Sequence, residues 1–215
     1  MRERRNLRDL AGLDVELEPL VAAAHRVDST LNDAFLAAVA GGMRRYHEHH
    51  YAAVDHLRIS MPVSVRRPGD APGGNRVTVE RLELPVGITD PVRRMRSIAT
   101  ICRELRADPA IPYASAIAGA LNLLPVDVTA SMLRHVDLLV SNVAGFPDPV
   151  WVAGARLRSF QVFGATLGSA ANITLMSYDG TCHVGISSDA GAVPDPSVLL
   201  ECLEAGFDEV AAVGR

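Results

Sequence analysis

No lysine occurs anywhere in this 215-residue chain, whose 21 basic residues are all arginine. That absence excludes a Schiff-base lysine, a pyridoxal phosphate lysine and the lysine of a phosphate-binding P-loop. Cysteine is nearly as scarce: Cys102, Cys182 and Cys202 are odd in number and far apart. They fit neither a Cys-x-x-Cys metal pattern nor a dense disulfide framework, so a reducing, cytoplasmic setting is expected. The longest mostly apolar stretch, Ala114 to Leu124, includes Ser115 and Asn122. It falls well short of the roughly 20 residues that span a bilayer, which leaves room only for peripheral contact with a membrane or lipid droplet. The amino terminus mixes charges of both signs in Met1-Arg2-Glu3-Arg4-Arg5, and no apolar region of signal-peptide length follows, so secretion is not expected. With a net charge of −4 there is no broad basic field for a phosphate backbone, and nucleic acid is not expected as a partner.

Hydrophobic residues make up 48% and charged residues 21% of the chain, the balance of a globular protein with a real core. The length suits one sizeable domain or one lobe of a two-lobed protein. Residues before about Leu17 are polar and weakly periodic and read as a linker or tail. From Thr30 to His47, Leu31, Phe35, Leu36, Val39 and Met43 recur at helical spacing behind potential caps, predicting a long buried helix. His56 to Val65 and Arg76 to Leu84 alternate as strands around a Pro/Gly loop at Pro68 to Asn75, and the two strands are expected to pair. Asp90-Pro91 opens an arginine-rich helix to about Arg106, with shorter helices near Tyr113 to Leu123 and Asp127 to Arg134. Strands follow at Leu138, Arg156 to Phe163, Asn172 to Tyr178 and His183 to Ser187, with a hairpin turn at Asp179-Gly180, before a closing helix from Pro194 to Val213. The fold class is therefore α/β, an α+β mixed sheet flanked by helices, without internal repeats.

Three stretches carry candidate chemistry. Val136-Asp137-Leu138-Leu139-Val140 ends in Ser141-Asn142-Val143-Ala144-Gly145-Phe146-Pro147 and, beyond it, Pro149-Val150-Trp151. This reads as a buried strand opening into a loop where Ser141 and Asn142 present a hydroxyl and an amide and Gly145 admits close approach. Asn32 and Asp33 open an otherwise apolar helix and read equally as a cap and as site residues. His47-Glu48-His49-His50 sits at a helix end with no tight Cys/His spacing, so no metal site is assigned. No serine stands in a Gly-x-Ser-x-Gly turn, and Ser64 reads as a sheet-end hydroxyl.

Thr30-Leu31-Asn32-Asp33 opening an Ala-rich helix that reaches Arg44-Arg45-Tyr46, then Met61-Pro62-Val63-Ser64-Val65-Arg66 and Gly74-Asn75-Arg76, resemble the C-terminal domain of bacterial wax ester synthase/diacylglycerol acyltransferase enzymes. Asp90-Pro91, Ser141-Asn142-Val143 with Gly145, Pro149-Val150-Trp151 and Ser177-Tyr178-Asp179-Gly180 continue the resemblance in order from about Leu17 onward. It implies one lobe of a CoA-dependent acyltransferase fold of the chloramphenicol acetyltransferase type, occupying 17–215 behind a 1–16 linker or tail of an upstream lobe. The implied activity is acyl-CoA:alcohol O-acyl transfer in triacylglycerol or wax ester synthesis, with acyl-CoA as substrate, diacylglycerol or a fatty alcohol as acceptor and no bound cofactor. The implied partner is an N-terminal lobe, in cis or in trans, or a second copy in a homodimer. The alternative is a non-catalytic binding module that needs such a lobe.

In that family the catalytic His-His-x-x-x-Asp-Gly motif belongs to the N-terminal lobe, and no catalytic residue is assigned in this chain. His49-His50-Tyr51-Ala52-Ala53-Val54-Asp55 has its aspartate one position late and no glycine after it. The resemblance instead implies supporting or tunnel-lining roles for Asn32, Asp33, Ser141, Asn142, Gly145, Trp151, Tyr178 and Asp179. Two departures bear on the lining. Ala144 and Phe146 stand where the family usually shows proline, and Gly164-Ala165-Thr166-Leu167-Gly168 lacks the proline common there.

Overall fold

A computed structural model describes residues 5, 7–64, 77–107, 136–146 and 148–215. The loop expected at Pro68 to Asn75 and the helices expected near Tyr113 to Leu123 and Asp127 to Arg134 lie outside these residues. So does the short apolar stretch at Ala114 to Leu124. No helix among the described residues is long and apolar enough to cross a membrane.

Among the described residues, four helices lie on one face of a six-stranded mixed sheet. The helices are α1 (Leu17–Arg26), α2 (Leu31–His49), α3 (Pro91–Arg106) and α4 (Pro196–Gly214). At the centre of the layer, α2 is buried without interruption from Asp33 to Met43, as a helix enclosed on all sides must be. Its alanines and glycines let α4 approach its backbone: a Cβ added at Gly206 of α4 would lie 2.3 Å from the Ala38 carbonyl oxygen of α2. Short polar side chains cap α2 and α3. Asp90 accepts from the Arg93 N–H at 2.7 Å to cap α3, with Pro91 in the first helical turn. Helix α1, absent from the sequence reading, buries Leu20, Ala23 and Ala24 on one stripe. Its core face is mostly alanine and gives little hydrophobic contrast.

The strands are β1 (Arg8–Glu16), β2 (His56–Ser64), β3 (Val77–Pro85), β4 (Leu138–Ala144), β7 (Ala171–Tyr178) and β8 (Thr181–Asp189), in the order β1-β8-β7-β4-β2-β3. Strands β2, β4 and β7 run parallel at the centre, and the remaining pairings are antiparallel. Alternation fixes the two faces. Ile59, Leu138, Val140, Ile173, Leu175, Val184 and Ile186 point at the helices and form the core.

Two segments differ from the sequence expectation. Residues 8–16, read as linker, are edge strand β1, paired with β8 over its whole length. The strand was overlooked because Leu10 and Gly12 stand among its outward residues while Asp9 and Ala11 open its inward side, which blurs the alternation. The strand expected from Arg156 to Phe163 is reduced to β6 (Ala155–Arg156), which pairs only with β5 (Trp151–Val152) in a separate small hairpin. Residues 157–166 then cross the face of the sheet opposite these helices, which is helix-free among the described residues, as an irregular strap. Gln161 donates to Asp14 of β1 at 3.1 Å, and the Val162 carbonyl lies over Gly185 of β8. The apolar residues of this segment pack down onto the sheet and do not join its ladder.

Candidate functional site

Where β2 and β4 end, the first turn of α2 closes a cavity of about 240 Å³. Asn32 comes from α2, Asn142 from the helix-facing side of β4, Met61 and Glu80 from β2 and β3, and Cys102, Leu105 and Arg106 from α3. The carboxyl end of parallel strands beside a helix amino terminus is where open sheets hold ligands. Two amides, a carboxylate and a guanidinium can orient a polar group there, while Met61, Val63 and Leu105 line an apolar flank.

Asp33, one residue from Asn32, is 1% exposed and turned back on the chain. Its carboxylate accepts from the Thr30 N–H at 2.9 Å and the Thr30 hydroxyl at 2.8 Å, while Thr30 Oγ1 accepts from the Asp33 N–H at 3.3 Å. This capping box satisfies the free N–H groups of the first turn and fixes where Asn32 stands. Asn32 itself makes one weak contact, Nδ2 to Met61 Sδ at 3.8 Å. Burial, with the Asp33 carboxylate adding to it, pushes the Cys102 thiol up to about 12. A thiol so shifted stays protonated near neutrality and is no nucleophile.

Ser141 and Asn142 are adjacent in sequence but sit on opposite faces of the sheet. Register pairs Asn142 with the core residue Leu175 and Ser141 with Thr174, whose hydroxyl bonds Asn172 on the helix-free face. Only Asn142 reaches the cavity. Beyond β4 the chain passes so close to β7 that a Cβ at Gly145 would lie 1.7 Å from the Ser177 carbonyl oxygen. Only glycine fits.

Trp151 stands on the β5–β6 hairpin beside this end of the sheet, and Tyr178 at the end of β7 and Asp179 in the turn after it hold that hairpin in place. The Tyr178 hydroxyl accepts from the Val150 N–H at 2.9 Å and donates to the Leu157 carbonyl at 3.0 Å, fastening both legs of the β5–β6 hairpin. Asp179, at φ 48° in the tight turn with Gly180, accepts from Arg156 at 2.6 Å. Trp151 stands out from the hairpin, 64% exposed. Of the eight residues, Asn32 and Asn142 share the cavity, Asp33 and Gly145 shape its approaches, and Tyr178 and Asp179 hold the hairpin. Glu80, Cys102 and Arg106 were not anticipated. Glu80 alone had a signal, a carboxylate standing on the apolar side of an alternation that continues through Leu82 and Leu84.

None of the six described histidines lines this cavity; the seventh, His135, lies outside the described residues. His47, His50 and His56 are at the other end of the sheet. His183 on β8 is held by a carboxylate, its Nδ1 2.7 Å from Asp14 Oδ1. Its side chain is 2% exposed, packed against Phe160 and Tyr178. Closed off from solvent in this way, it joins β8 to β1 and cannot meet a substrate. Among the described residues no three His, Cys, Asp or Glu side chains cluster to hold a metal ion.

Residues 73–211 match the WS/DGAT C-terminal domain family. A Mycobacterium tuberculosis H37Rv protein whose name reads putative diacylglycerol O-acyltransferase is 36% identical over 204 residues, spanning 94% of this chain and 42% of its own length. A second protein of that name from the same strain is 31% identical over 226 residues, spanning 94% of this chain and 45% of its own. The chain thus spans less than half the length of these relatives. Among solved structures, the wax ester synthase/diacylglycerol acyltransferase from Marinobacter aquaeolei VT8 superposes with a TM-score of 0.74 at 22% identity, over 99% of this chain and 51% of that one. The epimerization domain of tyrocidine synthetase B superposes with a TM-score of 0.60 at 11% identity, over 97% and 49%.

Proposed function

This chain is a member of the WS/DGAT C-terminal domain family, and on that premise we propose that it forms the C-terminal lobe of an acyl-CoA:alcohol O-acyltransferase of the diacylglycerol O-acyltransferase or wax ester synthase type. It builds one wall of the tunnel for acyl-CoA and the acceptor alcohol, and an N-terminal lobe contributes the proton-accepting imidazole. The observation that carries this reading is the Asn32/Asn142 cavity: a polar pocket at the expected end of the sheet, with no histidine among the described residues that line it.

In acyl transfer of this type a base takes the proton of the alcohol, the alkoxide oxygen attacks the thioester carbonyl, the C–S bond breaks and CoA leaves as the thiol. Negative charge gathers on the carbonyl oxygen as the C–O bond forms. The amides of Asn32 and Asn142 are the neutral donors of the cavity suited to that oxygen or to the acyl carbonyl. Both are held on regular elements, by the capping box and by β4. Phe146, Trp151 and Val152 are 53%, 64% and 60% exposed beside this end, an apolar edge fitted to be covered by the second lobe.

The chain alone is expected to release no CoA from acyl-CoA and diacylglycerol, and to do so when mixed with a relative's N-terminal lobe carrying His-His-x-x-x-Asp-Gly. Asn142→Ala in the mixture should lower kcat by about a hundredfold or more, the cost of one lost oxyanion donor. Robust turnover by the isolated chain would show that it holds its own base. A mixture that forms a complex by gel filtration yet releases no CoA would favour the non-catalytic binding module.

A further inference from the structure

A second and larger cavity, of about 710 Å³, lies at the opposite end of the sheet, where β2, β4 and β7 begin and α2 ends. Its volume falls in the range of about 300–1,000 Å³ typical of small-molecule sites. It is separated from the Asn32 cavity by the length of α2, roughly 25 Å at the rise of an α-helix. Met43, Leu57, Leu138, Val193 and Leu199 make its walls apolar.

Its polar groups are few: the Arg58–Asp137 pair, Tyr46 and the imidazoles of His47, His50 and His56. The Asp137 carboxylate accepts from Arg58 Nε and Nη2, both at 3.3 Å, and from the Arg58 backbone N–H at 2.9 Å, so the two formal charges on the wall answer one another. His50, one turn beyond His47, has its Nε2 3.5 Å from Asp195 Oδ2. His47 differs. Its Nδ1 is 3.2 Å from the Ala52 carbonyl oxygen, and burial holds its pKa below the usual 6.5. The ring is therefore neutral at pH 7, with Nδ1–H donating to Ala52 and Nε2 carrying a lone pair.

We propose that this cavity binds an uncharged, mainly apolar small molecule through one hydroxyl group that donates to Nε2 of His47. A carboxylate or phosphate would find an arginine already neutralised and a ring acceptor that repels its lone pairs, whereas a hydroxyl gives that acceptor its proton. The placement owes nothing to the acyltransferase reading, and the site stands or falls whether or not a second lobe docks at the far end.

The probe is 1-decanol, titrated at pH 7 into the full chain labelled with 13C-histidine, with decanoate as the charged analogue of equal length. The His47 Cε1–Hε1 resonance, assigned by its loss in His47→Gln, should move and saturate with decanol. Decanoate should bind at least about tenfold more weakly. His47→Phe retains an aromatic wall and removes the acceptor, and should weaken decanol by about fivefold, the worth of one net hydrogen bond, read on the resonances of His50 and His56, which line the same cavity. Ala192→Phe, which fills the cavity, should abolish the effect on the His47 resonance. Circular dichroism checks the fold of both variants, and His47→Phe at a half-buried position decides the matter alone if Ala192→Phe unfolds. An unmoved His47 resonance, decanoate equal to decanol, or undiminished decanol binding by His47→Phe would each overturn the proposal.

Discussion

Arg94 has no exposed side-chain surface, yet every part of its guanidinium is engaged. Nε donates to the Ala37 carbonyl at 2.9 Å, Nη1 to that of Ile88 at 2.8 Å, and Nη2 to Glu209 at 2.8 Å. Glu209 also receives Arg44 and Arg45, so one carboxylate ties α2, α3 and α4 together. Arg94→Met should lower stability by about 3 kcal/mol, because it strands buried carbonyls and part of a carboxylate; the shift of the urea midpoint measures it. Desolvation pushes the Glu209 pKa upward, but hydrogen bonds from Arg94 and Arg45 outweigh it and hold the group below its ordinary 4.5. A carboxylate depressed in the folded state stabilises it fully above the unfolded value and loses that contribution as pH falls through the folded one. The wild type should therefore lose stability below about pH 4.5 more steeply than Glu209→Gln, as paired denaturation curves from pH 6 to 3 would show. At this scale the sequence was a partial guide. Asn32 and Asn142 were each singled out, one at a helix start and one in a loop-end wall, but nothing local indicates that they share a cavity or that Ser141 faces away, because only the strand's register decides its side. Arg94 was invisible, one arginine among several in an amphipathic stretch.

The elements that the sequence disclosed have strong local rules: α2 through its spacing and cap, β2 and β3 through alternation, the β7–β8 turn through Asp179-Gly180. Removing the Thr30 hydroxyl by Thr30→Ala should cost about 1 kcal/mol, read from thermal unfolding. In an assembled enzyme it should also reduce kcat through Asn32, whereas Thr30→Ser should restore both. Strand β1 and the strap escaped notice because their partners are distant in sequence: β1 meets β8 some 170 residues later, and the strap is held by Asp14, Tyr178 and close contacts with β8. Deleting residues 1–16 would bare the edge of β8 and leave the His183 Nδ1 without Asp14. The expected product is oligomeric or insoluble in gel filtration, and a soluble truncated monomer would contradict the place given to β1.

The molecule is polarised along its parallel strands. One end carries amides, a carboxylate and an exposed apolar edge; the other carries a larger, mainly apolar cavity beside three imidazoles. The mixed α/β architecture was legible from the order of apolar runs, but this two-ended arrangement was not, since it depends on where crossover connections place residues far apart in the chain. In isolation the chain should self-associate through the exposed edge, and the double change Phe146→Ser with Val152→Ser should shift its elution toward a monomer, because neither side chain contributes to the core.

Trp151 is the single indole of the chain, and it stands on a two-stranded hairpin outside the main sheet, 64% exposed. Its emission in the native protein already belongs to a water-bathed ring, so heat or urea will change its colour very little. Melting is better followed by circular dichroism. The same dye-like residue would brighten or blue-shift whenever another surface covers the hairpin, which makes this protein's intrinsic fluorescence a gauge of assembly and nearly blind to unfolding.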